Sequence, residues 1–201
     1  MRGSRARHPA PLSSIPRTLH RASLSVLGPE VPQTGGPISR AVGRLALRLF
    51  RFRVEGAMPN LPRFVVIVAP HTSNWDFPVG LAVKFALGLD VTWFGKDTLF
   101  RFPFSVFLRA VGGIPVDRSA SNDVVQQLTA EFTKRERLVL ALTPEGTRKR
   151  VERWRTGFYH IAHAAGVPVV PAAFDWRARA VRLLSPFSTT GDVDLDISKL
   201  R

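Results

Sequence analysis

From Pro62 onward, short apolar runs alternate with helical patterns, and this alternation constrains the fold more than any other feature. Residues 64–69 are continuously apolar and predict a buried strand, followed by a loop and a helix over 77–87. Residues 90–95 predict a second strand, 98–111 an aromatic-rich helical stretch, and 113–117 a third strand. A helix over 122–134, a fourth strand over 138–143, a helix over 157–165 ended by Gly166 and a fifth strand over 167–173 complete the pattern. Residues 178–184 alternate like an edge strand, whereas 191–201 are weakly patterned. Strands separated by helices of this kind indicate an α/β fold: a mixed central sheet flanked by helices. A chain of 201 residues suffices for one such domain with a sizeable core.

Composition narrows the class. There is no cysteine, which rules out a disulfide scaffold, a cysteine metal site and a thioester carried on the protein. The longest run without Asp, Glu, Lys or Arg, 156–174, contains Gly157, Gly166, Pro168 and Pro171. It reads as helix, turn and strand, and not as a transmembrane span. The net charge is +14, and residues 1–53 carry ten Arg against the single acid Glu30. A basic chain attracts polyanions of either kind, nucleic acid or an anionic membrane. Charge alone does not choose between them.

Residues 1–38 hold six Pro, four Gly, five Ser and five Arg without apolar periodicity. We expect a disordered basic tail there, preceding a domain over 39–201. Such a start also resembles an organellar transit peptide, and a misplaced start codon explains it as well. Residues 39–53 differ, because Val42, Leu45, Ala46, Leu49 and Phe50 recur with helical spacing. Arg40, Arg44, Arg48 and Arg51 occupy another face, giving a basic amphipathic helix. Either it packs on its own domain with a solvated arginine face, or it lies in a membrane interface.

Three clusters could do chemistry, and each follows a predicted strand. The first is Pro70-His71-Thr72-Ser73-Asn74-Trp75-Asp76. Ligands of open α/β sheets sit beyond the carboxyl ends of strands, where His71 stands. A carboxylate five residues on, across a turn into a helix, can fix the imidazole tautomer and free the other nitrogen to accept a proton. A histidine held structurally at a strand end is the competing reading. The second cluster is Thr143-Pro144-Glu145-Gly146-Thr147-Arg148, where Gly146 permits a tight turn, Glu145 can bind a hydroxyl and Arg148 offers a fork for phosphate. An ordinary turn with exposed charges is the alternative. The third is Gly112-Gly113-Ile114-Pro115-Val116-Asp117-Arg118, where Arg118 either meets a ligand or pairs with Asp117.

These blocks resemble the lysophospholipid (glycerolipid) acyltransferases of the phosphatidic-acid-forming type. His71-Thr72-Ser73-Asn74-Trp75-Asp76 is similar to the family's His-x4-Asp motif, and 113–118 resembles its second motif, which ends in a phosphate-binding arginine. Pro144-Glu145-Gly146-Thr147-Arg148 resembles the third, and Val167-Pro168-Val169-Val170-Pro171 the fourth. The resemblance implies acyl transfer from acyl-CoA or acyl-carrier protein to the hydroxyl of a lysophospholipid, with 1-acylglycerol 3-phosphate the default acceptor. It implies that His71 is the general base and Asp76 its orienting partner. It implies that Arg118, Arg148 and Lys96 hold the acceptor's phosphate, while Glu145, Gly146 and Thr147 border its glycerol part. It implies no metal and no cofactor beyond the acyl donor. Direct attack fits the absence of cysteine and of a Gly-x-Ser-x-Gly elbow.

Seven of the 14 phenylalanines fall within 77–107, and Arg101 and Arg109 flank Phe102, Phe104 and Phe107. Aromatics bordered by arginine suit a surface that dips into lipid headgroups, although such density also suits a core. We therefore expect a peripheral or monotopic protein on the cytoplasmic face of an anionic membrane. Another lysolipid or hydroxylated lipid as acceptor, and a non-catalytic membrane-binding module, are the alternatives. A nucleic-acid binder rests only on the charge and lacks an aromatic–basic strand face or a known motif.

Overall fold

The computed structural model describes residues 27–71, 73–116, 121–146 and 153–201. The tail through residue 26 and the candidate residues Arg118, Thr147 and Arg148 lie outside them. In chain order the elements are α1 (Pro37–Leu49), β1 (Arg53–Glu55), β2 (Arg63–Ala69), α2 (Asp76–Leu87), β3 (Val91–Lys96), α3 (Phe104–Ala110), β4 (Gly113–Val116) and α4 (Ser121–Lys134). They continue as β5 (Leu138–Leu142), α5 (Gly157–Ala165), β6 (Val169–Asp175), β7 (Ala180–Leu183) and α6 (Val193–Leu200). One seven-stranded sheet has the order β1-β7-β6-β2-β5-β3-β4. Strands β2 to β6 run parallel, β7 turns back antiparallel to β6, and β1 pairs parallel with β7. This is the expected mixed α/β sheet.

Strand β2 is central because both its faces are apolar. Phe64 and Val66 join one core with Val79, Ala82, Val83 and Ala86 of α2, while Val65 and Ile67 join the other with α4, α5 and α6. The period of two along a strand that is buried on both sides produces this division. Phe77 of α2 packs edge-on against Trp93 of β3 (4.9 Å between centroids), and Trp93 against Phe100 (5.9 Å). This aromatic stack places the segment before α3 on the same sheet face as α2.

Five expectations need correction. The stretch 39–53 is not one helix. Helix α1 starts with Pro37 in its first turn and ends at Leu49. Arg51 then takes φ +59 and Arg53 enters β1, paired with Ala180. In consequence 178–184 is not an edge: β7 lies between β6 and β1. Arg182 binds Glu55 of β1 (2.8 Å) and Asp175 of β6 (2.7 Å), joining three strands by charge. The stretch 98–111 is interrupted, because Phe102–Pro103 separates a 3-10 turn at Asp97–Leu99 from α3. A proline disfavours helical geometry in the residue before it. Residues 27–38 are not tail: Leu27 and Val31 are buried in the α2 core, and Thr34 N–H donates to Gly88 O (2.9 Å). Residues 193–200 form helix α6, whose first turn is capped by the Asp192 side chain accepting from Leu195 N–H (3.0 Å).

Helix α1 meets α2 through Gly43 and Leu47. A Cβ at Gly43 would run into the backbone of Phe85 and Ala86, so glycine permits that close approach. Of the apolar stripe, Ala46 and Phe50 pack against the core, while Val42, Leu45 and Leu49 face away from it and are exposed, as is Ile38.

Asp196 ties α6 to α5. Its buried carboxylate accepts from Tyr159 OH (2.9 Å), Thr190 N–H (2.6 Å) and Thr190 Oγ1 (3.0 Å). Burial pushes its pKa up, but these hydrogen bonds and Lys199 outweigh that and hold it below the ordinary 3.8. A depressed folded-state pKa contributes stability above the unfolded value that is lost as pH falls through the folded one. We expect the unfolding temperature to drop below about pH 4. Asp196→Asn should be less stable near neutrality and show a flatter pH dependence; parallel slopes for the two proteins would contradict this.

Candidate active site

The carboxyl ends of the parallel strands form one rim, and the site is built on it. The chain leaves β2 through Pro70 to His71, turns, and enters α2 at Asp76. The His71 ring is partly exposed (19%), whereas the Asp76 side chain is 1% exposed. His71 Nδ1 is buried and stands 3.2 Å from Asp76 Oδ2, close enough for an ion pair but off the line of a strong hydrogen bond. Contacts of this kind often tighten only when substrate is bound. With Nδ1 turned to the carboxylate, Nε2 is the ring nitrogen left for a substrate.

Asp76 is held on several sides. Oδ2 accepts from Ser73 N–H (2.8 Å), and Oδ1 accepts from the indole of Trp176 (2.7 Å), the residue after β6. Neighbouring β5 contributes the other turn. Glu145 is buried, and its Oε2 accepts from the His71 backbone N–H at 2.8 Å, tying the two turns together. Gly146 has φ +64, a left-handed conformation natural to glycine, and its N–H donates to Thr143 O (3.2 Å). Arg155 lies across that turn: its N–H donates to Pro144 O (2.7 Å), and its side chain fills the place a Cβ at Gly146 would need.

The structure thus brings His71, Asp76, Glu145 and Gly146 into one cluster. Lys96 ends β3, which is two strands from β2, and its exposed side chain stands on the same rim. Arg118, Thr147 and Arg148 lie outside the described residues. Sequence reasoning missed Trp176, and it read Arg155 as part of a basic edge for the acyl carrier without placing it against the Gly146 turn. A tryptophan directly after a strand of this rim was the available signal for the first. For the second it was an arginine a few residues beyond the Gly146 turn.

Proteins of known kind resemble this chain in sequence or in fold. A 1-acyl-sn-glycerol-3-phosphate acyltransferase of Haemophilus influenzae is 27% identical over 150 residues, 70% of this chain and 60% of that protein. One from Escherichia coli is 27% identical over 168 residues, 79% of this chain and 66% of that protein. The chain therefore spans about two thirds or less of the length of these relatives. In fold it is similar to the 1-acyl-sn-glycerophosphate (LPA) acyltransferase PlsC of Thermotoga maritima. That match has a TM-score of 0.62 at 17% identity and covers 81% of this chain and 74% of that one. The Acyltransferase family model matches residues 51–175, from β1 to the end of β6, with His71, Asp76, Lys96, Glu145 and Gly146 inside it. That match takes in more than half of the 201 residues and both halves of the histidine–aspartate pair, and the chain belongs to the acyltransferase family.

Proposed function

We propose that the protein transfers a fatty acyl group from acyl-CoA or acyl-carrier protein to the free hydroxyl of a lysophospholipid. The acceptor best matched to the chain's relatives is 1-acylglycerol 3-phosphate, which would give phosphatidic acid. One observation carries the reading: a part-exposed His71, backed by buried Asp76, stands at the carboxyl end of the central strand. In this scheme Nε2 takes the proton of the acceptor hydroxyl as its oxygen attacks the thioester carbonyl. Asp76 steadies the imidazolium that forms. The tetrahedral intermediate then collapses, the carbon–sulfur bond breaks, and the departing thiolate takes the proton from Nε2. Lys96, Arg118 and Arg148 are the cations assigned to the acceptor's phosphate, with Glu145, Gly146 and Thr147 beside its glycerol part.

The exposed apolar surface supports work at a lipid interface. The α1 stripe continues towards Trp75, which is 60% exposed and packs edge-on against Phe50 at 6.2 Å. Around α3, Phe102, Phe104, Val106 and Phe107 are exposed, with Arg101 and Arg109 beside them. Helix α1 packs on α2, and the α3 segment is tied through Phe100 to Trp93, which also meets Phe77 of α2. Aromatic and aliphatic side chains bordered by arginine suit the boundary between headgroups and acyl chains. Among the described residues no helix is long and apolar enough to cross a membrane. We assign the protein to the cytoplasmic face of an anionic membrane as a peripheral or monotopic enzyme.

The test is thiol release from palmitoyl-CoA with lysophosphatidate, lysophosphatidylcholine or glycerol 3-phosphate as acceptor. Release that depends on lysophosphatidate is expected. Equal release without acceptor would replace transfer by hydrolysis, and release only with another acceptor would move the assignment to that lipid. No release with any acceptor or with an acyl-carrier-protein donor would favour the non-catalytic module.

A further inference from the structure

We infer that Trp176 is a positioning residue for the base: its indole holds the Asp76 carboxylate in the plane that faces His71. The inference rests on the acyl-transfer reading, with His71 as the base. Trp176 lies 100 residues beyond Asp76, yet its Nε1–H donates to Oδ1 at 2.7 Å. That bond divides the carboxylate between two tasks. Oδ1 is committed to the indole, and Oδ2 is left for the Ser73 N–H and for His71 Nδ1. A carboxylate bonded at Oδ2 alone could tilt away from the imidazole. With the dyad already at 3.2 Å, little tilt is needed to lose the contact.

The indole is itself braced, which a donor meant to fix geometry requires. Phe52, buried between α1 and β1, meets it edge-on with 4.9 Å between centroids. The Arg179 guanidinium stands 5.5 Å from the Trp176 ring and 5.7 Å from the Phe52 ring. Arg179 holds φ +52 in the turn between β6 and β7. The indole is thus braced by Phe52, far away in sequence, and by Arg179 of the turn that follows it, and its N–H meets one oxygen of Asp76. Outer partners of this kind orient a catalytic group and set its effectiveness without touching substrate.

Two variants of the full chain test this. Trp176→Phe keeps a ring against Phe52 and removes the donor. Incorporation of 3-benzothienylalanine at position 176 keeps the bicyclic shape and replaces only the N–H by sulfur. Both should lower kcat about tenfold while leaving the KM for lysophosphatidate and palmitoyl-CoA within about twofold, since the lost bond acts on the base and not on binding. In an Asp76→Ala background, Trp176→Phe should change kcat by less than about twofold, because the carboxylate it positions is gone. Wild-type kcat in the benzothienyl protein would overturn the inference, as would an undiminished loss in the Asp76→Ala background. If Trp176→Phe does not fold, the benzothienyl protein decides. His71→Ala, measured alongside, separates the two claims. Turnover that survives it sinks the base assignment and this inference together. Turnover lost with His71 but indifferent to Trp176 sinks the positioning role alone.

Discussion

His71→Ala is expected to lower acceptor-dependent acyl transfer by about 10²–10⁴-fold, the range that a positioned general base contributes. The folded protein should survive the change. The bond from the His71 position to Glu145 Oε2 uses the backbone N–H, which alanine keeps. Asp76 retains donors from Ser73 and Trp176, so its buried carboxylate is not stranded. The ring is partly exposed, and its removal opens little cavity. The loss should fall on kcat more than on KM, because the ring acts on the proton in flight and the phosphate is assigned to other side chains. Steady-state kinetics with a thermal unfolding control checks this. A variant within a few-fold of wild type would remove the base from the scheme.

The second large effect concerns the membrane. Leu45 and Leu49 are 55% and 74% exposed on α1, so replacing both with glutamine should leave the fold intact. Burying a leucine side chain in an apolar phase is worth about 1.5–3 kcal/mol. If lipid covers most of what these two expose, the pair is worth roughly 3 kcal/mol, or on the order of 100-fold in partitioning. We expect Leu45→Gln/Leu49→Gln to bind anionic vesicles about that much more weakly while turning over a micelle-dispersed acceptor normally. Sedimentation with phosphatidylglycerol-containing vesicles reads this directly. Unchanged binding would assign the stripe to some contact other than lipid.

The sheet was legible in the sequence because its central strands are apolar on both faces, and nothing else explains a run such as Phe64-Val65-Val66-Ile67-Val68. The His71–Asp76 pair was legible because its spacing spans one turn from a strand into a helix, a local relation that chemistry recognises. Strand β1 was hidden, since three residues cannot display a period of two and the arginine repeat of α1 runs almost up to it. The side of α1 that packs was also hidden. An apolar stripe marks an amphipathic face without saying what covers it, and the closest approach is made at Gly43, which carries no hydrophobic signal, beside Leu47. The interruption at Pro103 was visible but outweighed by the aromatic run around it. Helix α6 was missed because eight residues with two acids near its start show little apolar pattern, although Asp192 was a readable cap. Trp176 could not be paired with Asp76 from sequence at all, because only the sheet order brings the ends of β6 and β2 side by side.

One measurement tests the central claim most directly: incubation of the purified protein with carbonyl-¹³C palmitoyl-CoA and lysophosphatidate, followed by mass spectrometry of the lipids. Direct transfer to the acceptor hydroxyl places the label in phosphatidate, in step with CoA release, and loses both in His71→Ala. Label recovered as free palmitate, or as phosphatidate formed equally well without His71, would contradict it.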